Sequence, residues 1–365
     1  MSEKPEKSVV LVGGGHTHAL VLQGMTSAPL EGAQVTVINP GPTAPYSGML
    51  PGFVAGHYTR KELDIDLAAL AQKANATLID GEAKGIDLAH KLIHLENGES
   101  VSYDFASIDV GITSRMDGLQ GFRQYAIPVK PLGPFSARWD AFRSTAGPKH
   151  VIIIGGGIAG AELAMAMAFA LRGAREPVSV RLLDRGRILS ANSVKAQKRV
   201  RKELDANGVQ VLEGVEVAEV RERGVVFTDG RVFEANFVVG AAGATPHAWV
   251  PSTGLVTKDG FIDVNRSLET NEKGVFAVGD CANMTVTPRP KAGVYAVRQA
   301  PILLANLRKS LAGEALDHYN PQTDYLKLVS LGGKRAFGEK SGLGFAGNLV
   351  WRLKDRIDRS FMDQF

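Results

Sequence analysis

Gly155, Gly157 and Gly160 stand in the spacing Gly-x-Gly-x-x-Gly directly after the β-branched run at 151–154. That spacing suits a dinucleotide. The first glycine makes a tight turn, the second lets the backbone approach a diphosphate, and the third lets the following helix pack closely, with its free N–H groups and positive end facing the phosphates. Ile158, between the second and third glycines, belongs to the same turn. Asp184 ends the next apolar run, 29 residues past Gly155. There a carboxylate binds a ribose 2′-hydroxyl and repels a 2′-phosphate, which favours NADH. Arg185 and Arg187 follow it and keep NADPH open, and the bland alternative is an aspartate that merely ends a strand.

The pattern occurs twice. Gly13, Gly15 and His18 hold the same positions 142 residues earlier, with histidine where a glycine or alanine usually stands. Asn39, 26 residues after Gly13, replaces the acidic ribose ligand. Its amide can still hydrogen-bond hydroxyls. His16 and His18 fall at a helix start, either touching a ligand or simply packed or solvated.

Residues 8–12 and 34–38 read as strands around a helix beginning at 16, and 151–154 and 178–183 repeat this around a second helix. Two βαβ units make an α/β fold with two Rossmann-like domains and a small C-terminal α+β segment. The expected division is 1–125 for the first part of one dinucleotide domain, 126–240 for an inserted second domain, 241–315 for the rest of the first, and 316–365 for an interface or membrane-surface segment. The proline-rich stretch 125–134 reads as a crossing linker, and 209–233 as a hairpin-rich β segment. Residues 275–280 form a further buried strand ending in Gly279-Asp280, and the tail ends in a charged amphipathic helix.

Composition narrows the chemistry. The net charge of +4 is too small and dispersed to indicate nucleic acid. One cysteine, Cys281, excludes an intramolecular disulfide and any paired-thiol chemistry. No metal-ligand spacing stands out. The N-terminal residues do not read as a secretory signal, and the longest apolar stretch, 163–171, falls short of the ~20 residues that span a bilayer. The expectation is a cytoplasmic protein, with peripheral contact on the inner face of the cell membrane as an added reading.

Two fingerprints followed by VFAVGD at 275–280 resemble the two-dinucleotide flavoproteins of glutathione-reductase fold, the FAD/NAD(P)-dependent pyridine nucleotide-disulfide oxidoreductases. The resemblance covers nearly the whole chain. It is strongest to type II NADH dehydrogenases, in the branch related to the flavoprotein segment fused to selenide, water dikinases, through GGGHTH at 13–18, YSGMLPG at 46–52 and KAGVYAVRQAP at 291–301. It implies that the first domain holds FAD and the second NADH or NADPH, and that Asp280 binds the flavin ribityl chain. It further implies that Tyr46, Ser47, Gly48, Met49 and Leu50 line the flavin ring and that Ala83 meets the adenine. Gly111, Gly243, Gly279, Lys291, Ala292 and Gly293 complete the cofactor set. Glu162 and Lys130 resemble a catalytic pair at the meeting point of flavin and nicotinamide, where one buried charge partners the other.

The implied activity is NAD(P)H dehydrogenation, with hydride passing to the flavin and electrons onward to an acceptor, a quinone by resemblance. The chain carries GVYAVR at 293–298 where such enzymes often carry Ala-Gln-x-Ala-x-Gln, and it lacks the cysteines of disulfide reductases and sulfide:quinone oxidoreductases. Two alternatives stand beside this reading: a reductase of a small protein electron carrier, and a redox-sensing flavoprotein without turnover. In the tail, Leu349, Val350, Leu353, Ile357 and Phe361 form an apolar stripe among basic residues, suited to an anionic bilayer, to the protein's own core, or to a second subunit in a homodimer.

Overall fold

The computed structural model describes residues 6–114 and 116–365. Two five-stranded sheets organise them. The first has the order Val275–Ala277, Phe105–Ile108, Lys7–Val12, Ala33–Asn39, Ala76–Asp80; the second has Ala126–Pro128, Phe237–Gly240, Lys149–Ile154, Val178–Asp184, Gln210–Glu213. Every pairing in both is parallel. The central strands are apolar on both faces, with Val9 to Val12 and Val151 to Ile153 almost fully buried, as a sheet covered by helices on both sides requires.

The second sheet lies in sequence between two neighbouring strands of the first, Phe105–Ile108 and Val275–Ala277. Where the chain leaves and returns, the crossing segments clip together: Thr113 N donates to Thr245 O at 2.8 Å and Thr245 N to Thr113 O at 3.0 Å.

Two sequence expectations change here. The proline-rich stretch is not only a linker, because Ala126–Pro128 forms the edge strand of the second sheet, where Pro128 needs no ladder N–H, and Leu132–Ser144 is a helix. The run at 209–212 belongs to the fifth parallel strand rather than to a hairpin; the antiparallel ribbon begins at Val217–Arg221.

The helices after the two glycine turns differ in surroundings. His16–Ser27 packs on Gly293–Ala312, and Gly24 leaves room for Leu304. Ile158–Ala170 is built of alanines and methionines buried on nearly every side, because the second sheet, the segment Leu50–Val54 and the C-terminal strands all cover it. The chain ends in the antiparallel strands Lys327–Ser330, Ala336–Lys340 and Leu343–Gly347 and the helix Asn348–Met362. Among the described residues, no helix is long and apolar enough to cross a membrane.

Candidate cofactor and electron-transfer site

The two glycine turns are built alike. Gly13 and Gly155 have φ of 93° and 119°, and a Cβ on either would press on the backbone just past the neighbouring strand, at Asp109 and at Ala241-Ala242. Gly111 and Gly243, two residues past those contact points, share a left-handed φ of 68° and 71°. The strand-end residues correspond too. Gly14 N donates to Asn39 Oδ1 at 2.9 Å, and Gly156 N donates to Asp184 Oδ2 at 2.7 Å. Asn39 is thereby committed: its Nδ2 donates to Gly41 O at 2.9 Å, so the amide expected to meet a ribose holds its own turn. Asp184 also takes the Gly186 N–H on Oδ1 at 2.7 Å, with Arg185 and Arg187 exposed beside it.

The third position separates the turns. A Cβ on Gly160 would collide with the Gly155 carbonyl oxygen, which is why the fingerprint asks for glycine there. In the first turn His18 reaches the matching carbonyl with its ring. Nδ1 lies 2.7 Å from Gly13 O and Nε2 lies 2.8 Å from Ser107 Oγ. A carbonyl only accepts, so Nδ1 carries the proton and Nε2 accepts from the serine. Burial pushes the His18 pKa down to about 4, keeping the ring neutral. Fully buried with both nitrogens engaged, His18 supports the turn and presents nothing to a ligand.

Beside this turn lies a residue that motif reading passed over. Asp109 Oδ2 accepts from Thr17 N at 3.0 Å and His18 N at 3.2 Å, at the start of the helix His16–Ser27. A Cβ on Gly15 or on Gly279 would strike this carboxylate, whereas one on Gly157 would meet nothing within 4 Å. Asp280 lies in the turn Gly279–Cys281, and the Gly279 N–H is held by Gln299 Oε1 at 2.7 Å. Lys291 Nζ donates to Ala282 O at 2.5 Å, and Ala292 caps the helix that starts at Gly293, 3.5 Å from His16 Nδ1 if it carried a Cβ. Ala83 is buried at the start of Ala83–Asp87, in the cluster holding Val12 and Ile38.

The Lys130–Glu162 pair is not formed. Lys130 Nζ lies 2.9 Å from Asp280 Oδ2. Glu162 instead faces the C-terminal segment: its Oε1 accepts from Ser330 N at 2.7 Å, and its cationic neighbour is Lys354. Lys354 Nζ reaches Asp358 Oδ2 at 2.6 Å and Gly48 O at 2.7 Å, and Tyr46 OH lies 3.4 Å from Asp358 Oδ1. Ser47–Met49 forms one turn of 3-10 helix leading into Leu50–Val54. The Tyr46 ring stacks on Phe361 with centroids 4.4 Å apart, and the His16 ring stands 5.2 Å from Tyr46. Burial raises Glu162 to about 7, and Asp358 also moves up, while burial pushes His16 down to about 4.

The C-terminal helix therefore turns its faces opposite to a simple amphipathic reading. Lys354, Asp358 and Phe361 point inward with Val350, while Leu349, Leu353 and Ile357 are exposed, Leu349 by 77%. The expected single stripe is split, because 350, 354, 358 and 361 share one side of the helix and 349, 353 and 357 the next. Motif reading had no signal for Lys354, Asp358 or Gln299 beyond their spacing on a helix.

Cys281 is fully buried, with Sγ 3.1 Å from Val278 O, and desolvation raises its thiol to about 12. It is a packing residue. Among the described residues, no cluster of three or more His, Cys, Asp or Glu could hold a metal ion.

The sequence matches the pyridine nucleotide-disulphide oxidoreductase family over residues 7–300. The chain belongs to that family. It binds FAD together with NADH or NADPH, and the residues fit the pair: two glycine cradles, the second of them open at Gly157, where the helix start has no side-chain cap. The chain is similar to the NADH dehydrogenase-like protein YutJ of Bacillus subtilis, at 26% identity over 362 residues, 96% of this chain and 97% of the relative. It is also similar to a probable ferredoxin reductase, CtmF, of Castellaniella defragrans, at 26% identity covering 83% of this chain and 74% of that one. In fold it resembles the sulfide:quinone oxidoreductase of Aquifex aeolicus, with a TM-score of 0.78 at 17% identity over 98% of this chain and 92% of that one.

Proposed function

We propose that this flavoprotein is an NADH dehydrogenase that delivers its electrons to a quinone. Bound FAD would supply the hydride-accepting, two-electron chemistry between nicotinamide and acceptor. The protein's part is to hold the two cofactors and to manage protons. Gly155, Gly157, Ile158 and Gly160 would hold the nicotinamide dinucleotide's diphosphate, and Asp184 its ribose, with selectivity against a 2′-phosphate. Gly13, Gly15, Gly111, Gly279 and Asp280 would hold FAD, with Lys130 fixing Asp280. Tyr46 to Leu50, His16 and Gly293 would line the ring.

The observation that carries the acceptor is the group formed by half-buried Glu162 with buried Lys354 and Asp358 beside the Tyr46–Gly48 segment. Reducing a quinone consumes two electrons and two protons, whereas an iron–sulfur carrier accepts single electrons and needs no proton. NADH and one solvent proton balance the quinone reaction to NAD⁺ and quinol. Glu162, with a pKa near neutrality, is suited to hold and release that proton, and Lys354 offsets the charge left behind. The exposed Leu349, Leu353 and Ile357, with Leu343 and Phe345 on the adjacent strand, support docking at a bilayer surface where quinones reside, and Arg352 and Arg356 suit anionic headgroups.

The test is anaerobic mixing of purified protein with NADH and NADPH in parallel, followed by an acceptor panel. Bleaching of flavin absorbance by NADH and fast reoxidation by a soluble quinone are expected. Absence of bound flavin, or no bleaching by either nucleotide, would refute the reading. Faster reoxidation by a ferredoxin than by any quinone would replace the acceptor with a protein carrier.

A further inference from the structure

An N-terminal helix end that is to receive a phosphate normally presents bare N–H groups. The second glycine turn does so. In the first, the equivalent region already holds a carboxylate, since Asp109 accepts the Thr17 and His18 N–H groups and lies against both Gly15 and Gly279. Its counterpart in the second turn is Ala241, which carries no such group. A diphosphate set on this cradle brings negative charge against the Asp109 side chain, in a place where water screens little.

We infer that Asp109 is protonated in the flavin-bound protein and donates a hydrogen bond to the FAD diphosphate, so that flavin binding takes up one proton. This rests on the proposed placement of FAD at the first turn. The balance is simple: the ionised carboxyl, a proton from solvent and FAD give the neutral carboxylic acid beside the diphosphate. One carboxyl oxygen goes on accepting the helix N–H groups while the O–H turns to the phosphate.

The surroundings favour this. Burial already raises Asp109 to about 7 without the added charge, with nearby Asp280 pushing in the same direction. Three of the other ionisable groups facing the cradle are held well away from this range, and two lysines are engaged elsewhere. His16 and His18 are held down at about 4, and the Cys281 thiol is held up at about 12. Lys130 is paired with Asp280, and Lys291, whose pKa burial lowers, donates to Ala282 O. A diphosphate can only raise Asp109 further. Below pH 7 the affinity for FAD should level off, and above it should fall about tenfold per pH unit until the pKa of the bound form is reached.

The experiment measures the FAD dissociation constant of the full chain by flavin fluorescence at pH 6 and pH 9, together with proton uptake on FAD binding in a weakly buffered indicator solution. Binding at least tenfold tighter at pH 6, with uptake approaching one proton per FAD near pH 8.5, is expected. Asp109→Asn keeps the acceptor for Thr17 N and His18 N and should bind FAD with equal affinity at both pH values and without uptake. Equal wild-type affinity at the two pH values without proton uptake overturns the inference and leaves the flavoprotein reading intact. A pH dependence that survives in Asp109→Asn overturns it as well, assigning the proton to another group. Failure to bind FAD at any pH instead defeats the proposed function.

Discussion

Lys130 and Asp280, 150 residues apart, meet with Nζ 2.9 Å from Oδ2. The lysine stands just past the edge strand of the second sheet and the aspartate just past that of the first, so the pair ties the end of one sheet to the turn Gly279–Cys281 beyond the other. Both side chains are mostly shielded from solvent, so removing one partner leaves the other's charge poorly solvated and unpaired.

Replacing Lys130 by Met should free Asp280 and weaken FAD retention by about tenfold, the loss of about 1.4 kcal/mol expected for a charged hydrogen bond of this kind. Flavin fluorescence after gel filtration measures it. Retention equal to that of the native chain would show that Asp280 needs no partner.

His18→Ala should cost about 3 kcal/mol at pH 7.5, because it empties a buried site and leaves Gly13 O and Ser107 Oγ unpaired. The native contribution depends on pH. With the folded-state pKa lowered from 6.5 to about 4, the neutral ring contributes fully above pH 6.5, and the contribution is lost as the pH falls toward 4. Urea melts of both proteins at pH 7.5 and 4.5 should show the gap closing; a constant gap would contradict the neutral tautomer.

Glu162→Gln should leave flavin reduction by NADH within about twofold of native while slowing quinone reduction by tenfold or more, the lower end of what a proton donor contributes. The native quinone-dependent rate should decline above pH 7, where the carboxyl loses its proton, and the variant should lack that limb. Stopped-flow kinetics separates the two half-reactions. Equal slowing of both would make Glu162 a structural residue.

Asp184→Ala removes the acceptor for both Gly156 N and Gly186 N as well as the expected ribose ligand. The rate with NADH at low concentration should drop at least tenfold, and the preference over NADPH should shrink by a similar factor, since exposed Arg185 and Arg187 would then face a 2′-phosphate unopposed. Flavin reduction by the two nucleotides provides the ratio.

The glycine turns and the strands feeding them were legible because their signals are local: a β-branched run, a fixed glycine spacing, a helix start. Asp109 was hidden for the opposite reason. Nothing near it in sequence marks it, and it gains meaning only where the strand Phe105–Ile108 lays its end beside Lys7–Val12. Lys354 shows in the sequence only as one of the basic residues around the tail's apolar stripe and Asp358 carries no signal, since periodicity fixes which residues share a side but not which side meets the core. Glu162 was assigned the wrong lysine for a related reason. Its helix faces the C-terminal strands, a long-range packing choice that no residue spacing encodes.

The nesting of the second sheet inside the first sets an order of assembly. All five strands of the inner sheet leave the ribosome before Val275–Ala277, the edge strand of the outer one, so the inner domain can fold while its host still lacks a strand. Once it has, the Thr113–Thr245 clip can bring the outgoing and returning chains together. The host then closes its sheet across a short gap instead of a loop of more than a hundred residues, which reduces the entropic cost of finding the last strand. A lesion in the inner sheet would therefore hinder completion of the sheet that carries Gly13, Gly15 and Gly279 without touching a residue of it.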